Sequence, residues 1–259
     1  MLGTGFFDSK KYDSVRSPYS LLVVQTIQEL FSDKRDLRLA EVGAGSGKFT
    51  EALLNAGLDI KELNIIEPDS NGIKIHKEKF SGINIPIFYY NTTSDSTGLD
   101  NNYLDAIFIG HAFHWFDIKK TRVEFSQILK PKGKVFILGR FLDENDPVSA
   151  EYISLTRWGN RKNGFQNNIE AYSENIMTSF FGHKVEKTLI CSETEKHSQE
   201  QLVNEIEVRI DSSGDPELQN NLTAREIKKQ IIKDFYNKNN IEGYVPLKFT
   251  TFYFCSEII

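Results

Sequence analysis

Three alternate glycines, Gly43, Gly45 and Gly47, follow the apolar run Leu37-Arg-Leu-Ala-Glu-Val42 and precede Phe49, Leu53 and Ala56 at helical spacing. Glycine carries no Cβ, so such a turn lets the backbone bend sharply and come close to a ligand at the start of a helix. In open α/β folds that combination is a nucleotide site. Glu67 closes a second apolar run, Leu63-Asn-Ile-Ile66. It lies about 20 residues past the glycines, where a carboxylate reaches both hydroxyls of a ribose. The plainer reading of Glu67-Pro68-Asp69 is a helix cap, for which Asp69 or Ser70 is suited. His111 and His114 sit just past a third strongly apolar run, Leu104 to Ile109. Histidine titrates nearest neutral pH, which makes both candidates for general-base work, although a local hydrogen-bonding role suits His114 better. His76, His183 and His197 have no such context and read as surface residues.

The turn narrows the choice of nucleotide. A dinucleotide fingerprint needs a third glycine or alanine where Lys48 stands, which argues against NAD. A P-loop needs glycine, then four residues, then Gly-Lys followed by Ser or Thr; counted back from Gly47-Lys48 the first glycine's place holds Val42, and Phe49 follows. The remaining pattern, Glu41-Val-Gly-Ala-Gly-Ser-Gly47, resembles the first motif of class I S-adenosylmethionine-dependent methyltransferases. A second stretch, Thr93 to Asp105 running into Gly110-His-Ala-Phe-His-Trp-Phe-Asp117, resembles the fourth-strand region of their small-molecule type, with Ala112 to Asp117 reproducing that hexapeptide in full. Arg16-Ser-Pro-Tyr19, Leu129-Lys-Pro-Lys-Gly133 and Val245-Pro-Leu-Lys-Phe-Thr250 extend the likeness along the chain, which is similar to the trans-aconitate methyltransferase-like group.

The resemblance implies an α/β fold, a Rossmann-like sheet of seven strands with helices on both faces and a small helical cap. It implies S-adenosyl-L-methionine as cofactor, no metal, and a small-molecule acceptor methylated at nitrogen, oxygen or carbon by in-line displacement. Glu41, Gly43, Ala44, Gly45 and Gly47 would line the amino-acid and ribose part of the cofactor, Glu67 would hold the ribose, and Pro68 would lie beside the adenine. Ser94 and Asp95 stand where the family has Ala and Glu, near the adenine amino group. Gly110 and His111 would follow the methionine part. Tyr12 and Arg16 match a segment that closes over the cofactor, with Arg16 paired to its carboxylate. Phe7, Phe113, Trp115 and Trp158 are expected in an acceptor pocket.

The elements that must position these residues alternate. Ser17-Pro18 opens a helix marked by Leu21, Leu22, Val24, Ile27, Leu30 and Phe31; strands are expected at Leu37, Leu63, Ile85 to Tyr90, Leu104 and Lys134 to Leu138. A helix over Lys119 to Leu129 turns Val123, Ile128 and Leu129 inward. Further on come a helix from about Val148 to Trp158, a strand from Lys184 to Ile190, capping boxes at Ser198-Gln-Glu-Gln201 and Thr223-Ala-Arg-Glu226, and a strand from Leu247 to Cys255. One domain over residues 1–259 is expected. Its core is at about 35–140 and 183–259, its N-terminal lid at 1–20, and its cap segments at about 141–182 and 195–245.

Composition excludes other classes. The net charge of −5 and pI near 5.6 give no footprint for a phosphate backbone, so no nucleic-acid partner is expected. No run of about 18 apolar residues occurs, and two cysteines make neither a disulfide framework nor a metal pattern, which points to the cytoplasm without a membrane anchor. Oligomeric state is not legible. Two other readings use the same turn: an NAD(P)-binding oxidoreductase, disfavoured by Lys48, and a catalytically idle methyltransferase fold acting as a scaffold.

Overall fold

Apolar runs that alternate with amphipathic segments specify strands buried between helices. A computed structural model describes residues 17–156, 169–211 and 219–259 of the chain. Its elements are α1 (Leu21–Phe31), β1 (Leu37–Val42), α2 (Lys48–Asn55), β2 (Ile60–Ile66), α3 (Ser70–Lys79), β3 (Ile87–Tyr90), β4 (Leu104–Gly110), α4 (Ile118–Ile128), β5 (Leu129–Leu142), α5 (Pro147–Thr156), α6 (Glu174–Phe181), β6 (Thr188–His197), α7 (Gln199–Asp211), α8 (Leu222–Asn239) and β7 (Val245–Ser256). Short 3-10 turns occupy Phe113–Trp115 and Glu170–Tyr172.

The seven strands form one sheet in the order β3-β2-β1-β4-β5-β7-β6. Strand β1 pairs in parallel with β2 on one side and β4 on the other, so the chain reverses its direction of winding there. The crevice past the carboxyl end of such a strand is where open α/β sheets bind ligands. On one face of the sheet, Val23, Ile27 and Phe31 of α1 and Phe49, Ala52 and Leu53 of α2 cluster with Leu39, Ile65, Phe108 and Phe136. The opposite-facing Ile107, Ile109, Val135 and Ile137 are buried as well, so the central strands are covered on both sides.

By contact density the described residues fall into two units, each with its own core. One holds 18–140, 169–191 and 251–259, and the other holds 17, 141–156, 192–211 and 219–250. In the second, Tyr152, Leu202, Ile206, Ile210, Ile232 and Phe235 from α5, α7 and α8 pack with Val245, Leu247 and Phe249.

Several boundaries differ from the sequence reading. Helix α1 begins at Leu21; Leu21 and Leu22 are exposed, and the buried positions fall four apart at Val23, Ile27 and Phe31. In α4 the inward face is Thr121, Phe125 and Ile128, and Val123 is 54% exposed, because hydrophobicity at one position does not override the helix phase set by its neighbours. Helix α4 passes directly into β5 at Leu129, and Pro131-Lys-Gly133 forms a bulge within that strand. Leu129 pairs with Leu104 and Lys134 with Ala106, with Lys132 at φ 66°. Strand β6 lies later than expected, at Thr188–His197. The Ser198 capping box forms as read, Ser198 N–H donating to Gln201 Oε1 at 2.8 Å and Gln201 N–H to Ser198 Oγ at 3.2 Å. At α8 the cap is Asn221, whose Oδ1 accepts from Ala224 N–H, one residue before the helix and ahead of the expected Thr223 box. Among the described residues no helix is long and apolar enough to cross a membrane.

Candidate functional site

Strand β1 ends in the glycine turn, and the turn is tied to the end of β2. Gly43 N–H donates to the Ile66 carbonyl at 2.8 Å, and Gly45 N–H donates to Glu67 Oε2 at 2.8 Å. The other carboxylate oxygen, Oε1, accepts from Asp69 N–H at 2.9 Å. Asn91 Nδ2 donates to the carbonyls of Glu67 and Pro68, fixing the backbone of that pair. Asp69 is the cap of α3, accepting from Asn71 and Gly72 N–H groups, so capping and the Glu67 position belong to different residues. Burial pushes the Glu67 carboxyl up, while the Asp69 and Gly45 amides pull it down. All three glycines of the turn have positive φ, but their surroundings differ. A Cβ on Gly47 would meet Phe80 Cε2 at 2.3 Å, whereas a Cβ on Gly45 would meet nothing within 4 Å. Gly47 is there for packing, and Gly45 faces open space.

Glu41 is not at the surface of this site. It is 1% exposed and accepts from the Thr50 hydroxyl at 2.5 Å. Thr50 Oγ1 in turn lies 2.8 Å from His76 Nε2, and His76 Nδ1 lies 3.1 Å from Tyr89 Oη. His76 is wholly buried, which corrects its reading as a surface residue; His197 is likewise buried, at 7% exposure, beside Phe249. His183 is half-buried, with Nε2 at 3.1 Å from both Ser256 Oγ and the Glu257 carbonyl oxygen. Sequence reasoning missed Thr50, His76 and Tyr89 because their partners come from different elements. The one available signal was polar residues on inward helical phases, Thr50 beside Phe49 and Leu53, and His76 after Gly72 and Ile73.

At the end of β4, Gly110 leaves room for α2: a Cβ there would meet Phe49 Cβ and Cγ at 2.5 Å. His111 follows in the left-handed region at φ 58°, a conformation that costs a non-glycine residue of order 1–3 kcal/mol. Its N–H donates to the Leu138 carbonyl at 2.9 Å, and its Nδ1 accepts from Arg140 N–H at 3.2 Å. A neutral ring that accepts at Nδ1 carries its proton on Nε2. The ring stacks on Tyr172 at 6.2 Å and meets His114 edge-on at 5.4 Å. Phe113, expected in an acceptor pocket, is wholly buried against Phe116, Tyr172 and Phe180, so it supports this aromatic group from within. Trp115 is 50% exposed. Ser94 is buried and shares a 2.7 Å hydrogen bond with Thr121 Oγ1, while Thr97 N–H donates to Glu124 Oε1 at 2.8 Å; α4 thereby holds the loop carrying half-buried Asp95. Tyr12, Arg16, Phe7 and Trp158 lie outside the described residues.

A carboxylate fixed at the end of β2 beside the turn accepts from hydroxyl donors such as those of a ribose. The open space over Gly45 leaves room for such a ligand.

A methyltransferase-domain family model matches residues 40–137. An uncharacterized methyltransferase of Schizosaccharomyces pombe is 25% identical over 148 residues, 57% of each chain. The chain spans about half the length of the curated relatives it matches, 57%, 52% and 41% of the first three. A S-adenosylmethionine-dependent methyltransferase structure from Aquifex aeolicus superposes with TM-score 0.52 at 14% identity, over 98% of this chain and 100% of that one. A phosphoethanolamine N-methyltransferase from Haemonchus contortus, solved with S-adenosylhomocysteine, superposes with TM-score 0.51 at 16% identity, over 96% of this chain and 57% of that one. These two likenesses are of fold. Residues 40–137 are thus similar to methyltransferase domains in sequence, and the chain as a whole shares the fold of these methyltransferase structures.

Proposed function

We propose that this chain is a class I S-adenosylmethionine-dependent methyltransferase that moves the donor's methyl group onto a small-molecule nucleophile, with the glycine turn and Glu67 as the nucleoside site. The observation that carries the reading is the Glu67 carboxylate, held at both oxygens by the amides of Gly45 and Asp69 beside the open side of the turn. Glu67 accepts from ribose hydroxyls; Ser94 and Asp95, on the loop anchored to α4, face the base; Ala44 and Gly43 line the turn. The sulfonium of the bound donor supplies an already activated methyl group, so the chain's task is mainly alignment, which contributes up to roughly 7–11 kcal/mol in well-oriented reactions. His111, held at the end of β4 by the Leu138 carbonyl and the Arg140 amide, bears on the cofactor or the acceptor. A nucleophile that keeps its proton at neutral pH needs a base, for which His111 and His114 past β4 are the candidates. Tyr12 and Arg16 close on the donor, and Phe7, Trp115 and Trp158 bear on the acceptor. Acceptor choice lies with the segments outside the nucleotide motifs, at about residues 141–182 and 195–245.

The test is formation of S-adenosylhomocysteine with a panel of small carboxylate, aromatic and heterocyclic acceptors, beside DNA, RNA and a protein substrate mixture. Turnover on a small acceptor supports the proposal; turnover confined to a macromolecule overturns it.

A further inference from the structure

Four side chains from four elements form one line of hydrogen bonds beneath the glycine turn: Glu41 on β1, Thr50 on α2, His76 on α3 and Tyr89 on β3. Glu41, Thr50 and His76 are 1%, 0% and 0% exposed, whereas Tyr89 is half-buried on the edge strand of the sheet. The line therefore runs from a buried acid to the outside through groups that each donate and accept. Two opposite polarities satisfy every link. With Glu41 ionised, Tyr89 O–H donates to His76 Nδ1, His76 Nε2–H to Thr50 Oγ1, and Thr50 O–H to Glu41 Oε2. With Glu41 protonated the same atoms hold the reverse order, and Glu41 O–H donates to Thr50, Thr50 to Nε2, and Nδ1–H to Tyr89.

We propose that Glu41 releases a proton when the cationic methyl donor binds, and that Thr50, His76 and Tyr89 pass that proton to solvent. The inference rests on the reading that the glycine turn holds S-adenosylmethionine. In the step, the Glu41 proton moves to Thr50 Oγ1, the former Thr50 proton to His76 Nε2, the Nδ1 proton to Tyr89 Oη, and the former Tyr89 proton to water. One proton leaves, one carboxylate forms, and every intermediate group ends neutral. Without ligand, burial first of all pushes the Glu41 carboxyl up to about 8; the Thr50 hydrogen bond and Lys79 oppose this and the Glu67 charge adds to it. Burial and the Lys79 charge bring His76 down to about 4, so it relays as a neutral ring. The charged groups facing the line are Glu67 from the end of β2, Lys79 of α3, which pairs with Glu51 of α2 at 3.0 Å, and Lys77 of α3 over the Tyr89 ring at 4.9 Å. A sulfonium and an ammonium brought to the turn favour the carboxylate, which draws the proton off.

The full chain is titrated calorimetrically with S-adenosylmethionine in two buffers of different ionisation enthalpy, at about pH 7 and about pH 9.5, the conditions set by the Glu41 value. The expected result is release of close to one proton at the lower pH, little at the higher, and none in Glu41→Gln. Heat independent of buffer at the lower pH, or unchanged release in Glu41→Gln, overturns the inference while leaving the cofactor reading intact. Absence of any binding heat overturns the cofactor reading instead. Stopped-flow with a pH indicator tests the path. Tyr89→Phe, which removes one half-buried hydroxyl, releases the same amount of proton but later than the binding signal, and release in step with binding excludes Tyr89 from the route.

Discussion

The amide of Gly45 donates to Oε2 of Glu67 at 2.8 Å across 22 residues of sequence, joining the ends of β1 and β2 at the point where the sheet reverses its winding. The bond holds the carboxylate in place before any ligand arrives, a form of preorganisation that lowers the cost of binding. Glu67→Ala removes both the amide acceptor and the ribose partner. It is expected to weaken S-adenosylhomocysteine binding at least tenfold, about 1.4 kcal/mol, measured by titration of a variant shown to be folded by circular dichroism.

Gly45 and Gly47 should separate binding from stability. Gly47→Ala places a methyl at 2.3 Å from Phe80 and 2.9 Å from His76 in a left-handed conformation. Overpacking alone costs roughly 1–3 kcal/mol, and the backbone adds about 1–2. Gly45→Ala, with nothing within 4 Å, carries only the backbone cost. Thermal denaturation should show the larger drop for Gly47→Ala, and ligand titration the more specific loss for Gly45→Ala.

The two buried titratable groups under the turn set opposite slopes in pH. His76 falls from 6.5 to about 4 on folding, so the stability it allows is whole above pH 6.5 and is lost as pH drops toward 4. Glu41 rises from 4.5 to about 8, so its contribution is whole below pH 4.5 and is lost as pH rises toward 8. From 6.5 to 8 only the Glu41 slope remains. Urea denaturation of the ligand-free protein should show stability declining over that range, and Glu41→Gln should flatten the decline.

The corrected face of α4 is open to a direct comparison. Phe125 is wholly buried and Val123 is 54% exposed. Phe125→Ala should cost about 3–5 kcal/mol and Val123→Thr no more than about 0.5, read from denaturation midpoints. Equal losses would restore Val123 to the core.

Much of the site was legible because its parts are local in sequence. Val42 to Gly47 spells a strand end and turn, and Glu67 follows at a spacing fixed by one crossover. The Ser198 capping box was legible for the same reason, since both partners lie within one helical turn. What escaped is non-local. His76 is buried because β3 brings Tyr89 over it and α2 brings Thr50 beneath it, and no spacing along the chain records that meeting. Phe113 looked like a pocket wall by type, but its rotation within a short 3-10 turn sends it against Phe180 and Tyr172. Val123 misled because a β-branched apolar residue on a solvated helix face reads like core when its phase is judged alone.

The most direct measurement is calorimetric titration of the folded protein with S-adenosylhomocysteine, run beside NAD and repeated with Glu67→Ala. Micromolar binding of S-adenosylhomocysteine alone is expected, weakened at least tenfold in the variant. Binding of NAD, or S-adenosylhomocysteine binding that the variant leaves unchanged, would contradict it.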